Sequence, residues 1–182
     1  MIRVSGLFVY PVKSCRGIAV DRGVVEATGF RWDRRWMVVG DDGVFLSQRT
    51  HPQLALVRAR LTEDRLVLSA PHLMDLDVAL VREIGPRIRA TVWRDQCDAF
   101  DEGAAATAWF SDHLGITARL VRLAGDDARP LATPAAEPGD RVSFADAYPF
   151  LLLSQGSLDQ LNRRLNLPLP MDRFRPNIVV EG

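Results

Sequence analysis

The sequence predicts an α+β protein that is predominantly β, with an antiparallel, barrel-like N-terminal domain over residues 1–123. Short apolar segments fill about the first hundred residues, and turn-forming residues rather than helices separate them. The segments span residues 4–11, 23–27, 36–40, 45–47, 54–61, 65–69, 75–80 and 88–93. Many short strands at close spacing favour an antiparallel barrel or sandwich, because a parallel sheet needs long crossover connections.

Two turns are predicted to form hairpins between these strands. Asp41-Asp42-Gly43 follows the segment 36–40, and an Asp-Gly pair tolerates the positive φ that a tight turn needs. Glu63-Asp64 precedes the segment 65–69. We expect an antiparallel pair of strands at each turn.

A first helix is predicted between Asp101 and Gly115. Asp101 is a suitable N-terminal cap, and the alanines at 104–106 are strong helix formers. A glycine commonly follows the last turn of a helix, because it adopts the left-handed conformation without a steric penalty.

A second helix is predicted from Ser157 and Gln160, whose spacing matches a capping box. Leucines at helical spacing follow on one face, and Pro168 prevents the helix from continuing. Ser154 is an alternative cap one turn earlier. Between the two helices, residues 124–140 are rich in glycine and proline, which predicts a loop or a connection between domains.

The composition excludes several classes of protein. The 182 residues are 47% hydrophobic and 25% charged, and 23 basic side chains balance 23 acidic ones, so a polybasic nucleic-acid surface is not expected. No apolar stretch approaches the roughly 18 to 20 residues that span a bilayer, and the N-terminus lacks the pattern of a secretory signal. We therefore expect no membrane partner and a cytoplasmic location.

The sequence carries no pattern of metal ligands. Cys15 and Cys97 lie far apart without a CxxC or a neighbouring histidine, so both are interpreted as reduced thiols. The histidines at 51, 72 and 113 lack the spacing of a zinc site. No residue can be assigned a catalytic role from the sequence.

The segment Tyr10-Pro11-Val12-Lys13-Ser14-Cys15-Arg16-Gly17 is dense in hydrogen-bond donors. An ammonium, a hydroxyl and backbone N–H groups at the end of a strand can together hold a phosphate. The spacing of a Walker A loop is absent. The alternative interpretation is a solvated turn after an edge strand.

Three further segments place charged or polar groups beside strands. Arg31, Arg34 and Arg35 surround Asp33, so they predict either an anion site or a surface ion pair of Asp33 with Arg34 or Arg35. Ser47-Gln48-Arg49 repeats this pattern. Near the C-terminus, two arginines and an asparagine bracket a proline before an apolar strand, in the order Arg173-Phe174-Arg175-Pro176-Asn177.

Together these motifs resemble the MOSC family. The matching elements, in family order, are Tyr10 to Gly17, Asp33-Arg34-Arg35-Trp36, Leu46 to Arg49 with Pro52, Gly103 to Trp109, Asp146 to Asn162 and Phe174 to Val180. The chain is similar to members that have an N-terminal MOSC-associated β-barrel domain, such as the mitochondrial amidoxime-reducing components and their bacterial relatives. The resemblance implies that residues 124–182 are the beginning of a MOSC domain, which is an incomplete β-barrel with a few helices.

The resemblance implies an oxidoreductase that binds molybdenum cofactor and reduces small N-hydroxylated compounds. It implies that electrons come from a partner protein or from a fused iron–sulfur domain. It also implies that a pterin cofactor contacts Lys13 and Ser14 in the first motif, and Arg34 in the second. The other implied contacts are Asp146, Ala147, Arg175 and Asn177.

In family members that bind the cofactor, a cysteine downstream of the Phe-Arg-Pro-Asn motif ligates molybdenum. This chain ends at Gly182, and on the resemblance it is expected to be truncated within the MOSC domain, without that ligand. Two alternatives stay open. One is a non-catalytic module that binds pyridoxal phosphate or carries sulfur on Cys15, whose thiol pKa we expect Lys13 and Arg16 to lower. The other is an inactive fragment.

Overall fold

The computed structural model describes residues 1–81, 85–124, 128–131 and 133–182. Two α-helices, α1 (Ala104–Leu114) and α2 (Gln155–Asn162), and two 3₁₀ helices, Pro52–Leu56 and Met171–Phe174, accompany the strands. The strands are β1 (Arg3–Val9), β2 (Ile18–Ala19), β3 (Val25–Glu26), β4 (Gly29–Phe30), β5 (Trp36–Gly40), β6 (Arg58–Leu61), β7 (Arg65–Ser69), β8 (Leu76–Ala79), β9 (Arg87–Val92), β10 (Asp95–Asp101), β11 (Ala118–Leu123), β12 (Arg129–Pro130), β13 (Arg141–Val142), β14 (Leu152–Ser154) and β15 (Ile178–Glu181).

Two antiparallel sheets and α1 enclose the main core. One sheet has the strand order β5-β11-β10-β9 and the other has the order β6-β7-β8. Every residue of β5 is buried, and because side chains alternate along a strand, Trp36 and Val38 enter one apolar cluster while Met37 and Val39 enter a second. The curled, antiparallel and predominantly β architecture confirms the predicted fold class.

A third sheet joins the two ends of the chain. Its strand order is β14-β15-β1-β2, with β1 antiparallel to β15 and β14 parallel to β15. Leu7 is paired with Ile178, so the Tyr10 to Gly17 segment begins close to the start of the last strand. This pairing brings together motifs that are more than 150 residues apart in sequence.

Both predicted hairpin turns are present. Gly43 has a φ of +75° at the first turn, where the Gly40 N–H donates to the Val44 carbonyl. At the second turn Leu61 pairs with Leu66. The predicted strand over 45–47 is wrong, however, because Phe45 forms only an isolated bridge with Val39 and no strand extends over these residues. The Phe45 N–H donates to the Thr91 carbonyl on β9.

The other strand predictions need three corrections. Residues 52–56 form a 3₁₀ helix that begins at Pro52, so the predicted strand 54–61 is reduced to β6. The predicted strand 23–27 is reduced to the two residues of β3. The sequence patterns did not predict β10 and β11. Both strands contain charged residues, which interrupt the pattern of apolar residues by which a strand is recognised.

The helices confirm the predicted positions but not every predicted cap. Gly115 ends α1 in the left-handed conformation, whereas Asp101 lies at the end of β10 and accepts a hydrogen bond from the Gly103 N–H at 2.7 Å. The Ser154 hydroxyl caps α2 by accepting from the Ser157 N–H at 3.0 Å. The capping box at Ser157 is therefore wrong, and the helix ends at Asn162, well before Pro168.

The predicted loop over 124–140 lies only partly within the described residues. Residues 125–127 and 132 lie outside the described residues. Within the described part, β12 pairs with β13, which gives the segment a short antiparallel ribbon. Among the described residues, none of the helices has the length and apolar character needed to cross a membrane.

Gly17 has a steric role that a substitution can test. A β-carbon on Gly17 would overlap the buried Tyr10 ring, whereas one on Gly156 in α2 would meet no atom within 4 Å. We predict that Gly17→Ala lowers the free energy of unfolding by about 1–3 kcal/mol through overpacking. The matched control Gly156→Ala should raise it by up to about 1 kcal/mol, because alanine favours the helix. Urea unfolding measures both, and equal effects would contradict the steric explanation.

Candidate functional site

The seven residues that the sequence singled out all line one open cavity of about 480 Å³. The cavity lies where the end of β1, the turn before β5, the segment after β13 and the start of β15 meet. Its lining comprises Lys13, Ser14, Arg34, Phe45, Ser47, Gln48, Arg49, Trp93, Ala145, Asp146, Ala147, Tyr148, Phe150, Leu151, Arg173, Phe174, Arg175 and Asn177. Its size is in the range of small-molecule and cofactor sites.

Lys13 is a buried cation with two acceptors. Its Nζ atom donates to the Phe144 carbonyl at 2.7 Å and to Asp146 Oδ1 at 2.5 Å. Burial lowers the pKa of the Lys13 ammonium to about 8, although the Asp146 carboxylate opposes this shift. Because an ammonium has three N–H donors, one is left for a ligand.

Asp146 faces solvent but is held in place. It accepts hydrogen bonds from Lys13 Nζ and, at 3.0 Å, from Trp93 Nε1. Burial alone would raise the pKa of Asp146, but the charge of Lys13 and these two hydrogen bonds outweigh it, so the pKa is lowered. Ala147 follows as an exposed residue of the lining and offers no side-chain donor.

Ser14 lies in a strained turn. Its φ is +68°, a conformation that few residues other than glycine adopt, and Gln48 Nε2 donates to its carbonyl at 2.6 Å. Strained residues of this kind are frequent at ligand sites. The Ser14 and Ser47 hydroxyls both line the cavity.

Arg34 forms a buried ion pair with Asp33. Arg34 Nη1 lies 2.6 Å from Asp33 Oδ2, and Asp33 is only 3% exposed, so the predicted surface pair is wrong in its location. Burial raises the pKa of Asp33, although Arg34 and the Tyr10 N–H oppose this. Arg34 also donates to Asn177 Oδ1 at 3.0 Å and to the Arg175 carbonyl at 3.2 Å, which leaves part of its guanidinium for a ligand.

Asn177 is a structural link as well as a lining residue. Its side chain accepts from Arg34 and from the Leu151 N–H, and donates to the Phe8 carbonyl at 3.2 Å. It is 2% exposed. Asn177 therefore joins β1 and the entry of β14 to the arginine that faces the cavity.

Arg175 and Arg34 are like charges placed against one aromatic ring. The guanidinium carbon of each lies 4.4 Å from the centroid of the Tyr10 ring, and Arg175 donates to the Cys15 carbonyl. Burial, and then the charge of Arg34, lower the pKa of Arg175 to about 10. Burial likewise raises the pKa of Tyr10 to about 12.

The sequence patterns missed Arg129, which organises the site without lining it. This arginine is 2% exposed, pairs with Asp95 at 2.5 Å and donates to the carbonyls of Ser143 and Ala145. The Lys13 ammonium donates to the intervening carbonyl, which is that of Phe144. Two cations therefore fix three successive carbonyls just before Asp146.

The expectation of a reactive Cys15 is wrong. Cys15 is fully buried, and burial raises the pKa of its thiol to about 12 rather than lowering it. Arg175 donates a hydrogen bond to the Cys15 carbonyl, and its charge only partly opposes the effect of burial on the thiol pKa. Cys97 is also buried, and burial raises its pKa as well. Across the described residues, no three His, Cys, Asp or Glu side chains are grouped closely enough to hold a metal ion.

The cavity fits a polyanionic group with polar edges. Among the residues that the structure describes, its lining has one carboxylate, Asp146, and five cations, which are Lys13, Arg34, Arg49, Arg173 and Arg175. Positive charge is in excess even though Asp33 pairs with Arg34. Burial, and then the charge of Arg34, disfavour the protonated form of Arg175 and lower its pKa, and a nearby anion would compensate for both effects. A phosphate would supply that compensation, and the unused N–H donors would bind it.

Comparison with known proteins gives two family matches. The MOSC N-terminal beta barrel domain matches residues 1–117, and the MOSC domain matches residues 139–182. Mitochondrial amidoxime-reducing component 1 from Mus musculus is 33% identical over 98% of this chain, and the protein of that name from Homo sapiens is 32% identical. Molybdenum cofactor sulfurase from Drosophila persimilis is 29% identical over 96% of this chain.

The chain spans about half the length of the amidoxime-reducing components, with 55% and 56% covered, and 24% of the sulfurase. One solved structure is also similar. The solution structure of a Bordetella bronchiseptica protein has 30% identity and a TM-score of 0.53, and the match covers 70% of this chain and 95% of that one. The likeness extends to fold as well as to sequence.

Lys13 gives the site a predicted pH dependence. In the free protein its ammonium loses a proton as the pH rises through about 8, whereas Asp146 stays ionised. The affinity for sulfate, whose charge is constant over this range, should therefore fall from about pH 8 to pH 9, before Arg175, with its pKa of about 10, loses much of its charge. Titration calorimetry measures it. Lys13→Gln should bind more weakly and lose this fall, and an unchanged pH profile would contradict the assignment.

A substitution of Arg129 tests whether this side chain holds the Ser143 and Ala145 carbonyls in place before Asp146. Arg129→Gln leaves buried carbonyls without donors, so we predict a loss of about 1–3 kcal/mol in the free energy of unfolding. The control Arg119→Gln removes only an exposed pair with Asp41, at 3.2 Å, and should cost less than about 1 kcal/mol. Urea unfolding compares the two variants, and equal losses of unfolding free energy would argue against this role of Arg129.

Proposed function

Because this chain belongs to the MOSC family, we propose that it forms the pterin-binding part of a molybdenum-cofactor oxidoreductase. The observation that carries the proposal is the convergence of Lys13, Ser14, Arg34, Arg175 and Asn177 on one cavity. Relatives named amidoxime-reducing component and molybdenum cofactor sulfurase support the cofactor.

Each side chain has a defined part in holding the cofactor. Lys13 and Arg175 supply charge and free N–H donors for a phosphate, and Ser14 supplies a hydroxyl. Arg34 contributes its remaining donors, while Asn177 keeps that guanidinium in position. Asp146 accepts from Lys13 and so fixes the direction of the ammonium.

The proposed reaction is the reduction of an N-hydroxylated compound. Two electrons and two protons cleave the N–O bond, and the products are the N–H compound and water. The cofactor, when bound, supplies the redox chemistry. The electrons come from a partner protein or from a fused iron–sulfur domain. At neutral pH Lys13 holds its proton at Nζ, at the wall of the cavity.

A second candidate function is cofactor binding without reduction. The similarity to molybdenum cofactor sulfurases supports it. Sulfur transfer from Cys15 is not part of this candidate, because the thiol is buried and its pKa is raised to about 12. Pyridoxal phosphate would be an alternative ligand of the same cationic cavity, and its visible absorbance distinguishes it from a pterin.

Pterin content tests cofactor binding directly. Protein purified from a host that makes molybdenum cofactor should release a fluorescent oxidised pterin, and Lys13→Gln combined with Arg175→Gln should reduce its amount at least about tenfold through lost charge-assisted bonds. Arg119→Gln, on the far exposed pair with Asp41, should retain it. Circular dichroism establishes that each variant is folded.

Equal pterin in the folded double variant and the wild type would overturn the proposal, as would a folded wild type without pterin. Reduction is measured separately, by following benzamidoxime conversion with chemically reduced viologen as the electron source. Pterin release without conversion favours the second candidate.

A further inference from the structure

Trp93 adopts a backbone conformation that is unusual for a large side chain. Val92 pairs with Asp95 across the β9–β10 hairpin, so Trp93 and Arg94 form a two-residue loop. Trp93 has a φ of +57°, where such loops prefer glycine, asparagine or aspartate. A bulky residue at positive φ is strained, and strain of this kind is concentrated at ligand sites.

The indole of Trp93 is held at the cavity rather than in the core. It is 46% exposed, its Nε1 atom donates to Asp146, and its ring lies edge-on to Phe45 with the centroids 4.7 Å apart. The Arg49 guanidinium lies 5.5 Å from the centroid, within cation–π range. Phe45, Arg49 and Trp93 all line the cavity.

The contacts of Arg49 and Trp93 leave part of both side chains available to a ligand. Arg49 is exposed and forms no ion pair with any carboxylate in the described part of the chain. Nearly half of the Trp93 surface remains open. Core packing does not explain an open, strained tryptophan beside an arginine with free donors. A planar π surface next to a charged fork is suited to a flat anion.

We propose that Phe45, Arg49 and Trp93 form a substrate subsite for a planar conjugated molecule that carries a carboxylate or another anionic group. The subsite rests on the proposed function, because it names the class of substrate that would be reduced beside the cofactor. The flat body of the substrate stacks on Trp93, and its anionic group accepts from Arg49. Asp146 connects this subsite to Lys13, since it accepts from both Trp93 and Lys13.

Three probe compounds separate charge from planarity. The probes are 2-naphthoate, the uncharged 2-naphthamide and the saturated decahydro-2-naphthoate. We expect 2-naphthoate to bind with about tenfold higher affinity than either of the others, because each lacks one of the two interactions. Titration calorimetry on the purified protein gives the affinities, and the indole N–H resonance of Trp93 should shift on binding.

Two variants locate the binding. Arg49→Gln should weaken 2-naphthoate about tenfold and leave 2-naphthamide unchanged. Trp93→Asn should weaken the binding of both aromatic probes. The hairpin is preserved in this variant, because asparagine tolerates positive φ. Arg119→Gln is the control and should change neither. Equal affinity for all three probes, or affinities that neither variant alters, would overturn the subsite.

The same proteins distinguish this inference from the proposed function. Pterin content and probe binding are measured on the wild type, Arg49→Gln and Trp93→Asn, because Arg49 and Trp93 line the same cavity as the proposed cofactor contacts. If the variants retain pterin and bind the probes as tightly as the wild type does, the subsite is overturned and the cofactor proposal stands. Selective probe binding by a protein without pterin overturns the cofactor proposal alone.

Discussion

The buried pair of Asp33 and Arg34 is the interaction on which the rest of the structure depends. A buried charge is tolerated only when partners surround it, and the partners of this pair come from two segments that are distant from it in sequence. Asp33 accepts from the Tyr10 N–H, and Arg34 donates to Asn177 and to the Arg175 carbonyl. The first strand, the turn before β5 and the last strand must therefore assemble together. One set of bonds closes the fold and shapes the cavity.

Because Arg34 both stabilises the fold and lines the cavity, a substitution of Arg34 cannot separate its effect on ligand binding from its effect on stability. Without the guanidinium, Asp33 would remain as a buried carboxylate, and burial already raises its pKa. A loss of ligand binding would then be inseparable from a loss of stability, which is about 3–5 kcal/mol for a broken buried pair. Lys13 and Arg175 are better probes, because their principal acceptors are backbone carbonyls and the exposed carboxylate of Asp146.

The motifs at strand ends indicated an anion site, but the choice of individual residues, such as Arg34 rather than Arg35, came from the resemblance to the MOSC family. Lys13, Arg34 and Arg175 carry charge beside apolar strands, a pattern that is visible in the sequence. Arg129 was not predictable in this way, since its role arises from carbonyls 14 and 16 residues away. Cys15 shows the opposite failure, because neighbouring charges in sequence indicated a low thiol pKa whereas burial raises it. Charge can be located from sequence, but desolvation depends on packing.

The cavity draws its walls from both family-matched parts of the chain. Lys13, Arg34 and Trp93 lie within the match to the N-terminal barrel, whereas Asp146 and Arg175 lie within the match to the MOSC domain. The contacts of Asp146 with Lys13 and Trp93 cross between the two, as do those of Arg34. Neither part alone could present the cations, the carboxylate and the indole to one ligand. The part that matches the N-terminal barrel domain is therefore a component of the candidate site, because it supplies Lys13 and Trp93 on one side and the second part supplies Asp146 and Arg175 on the other.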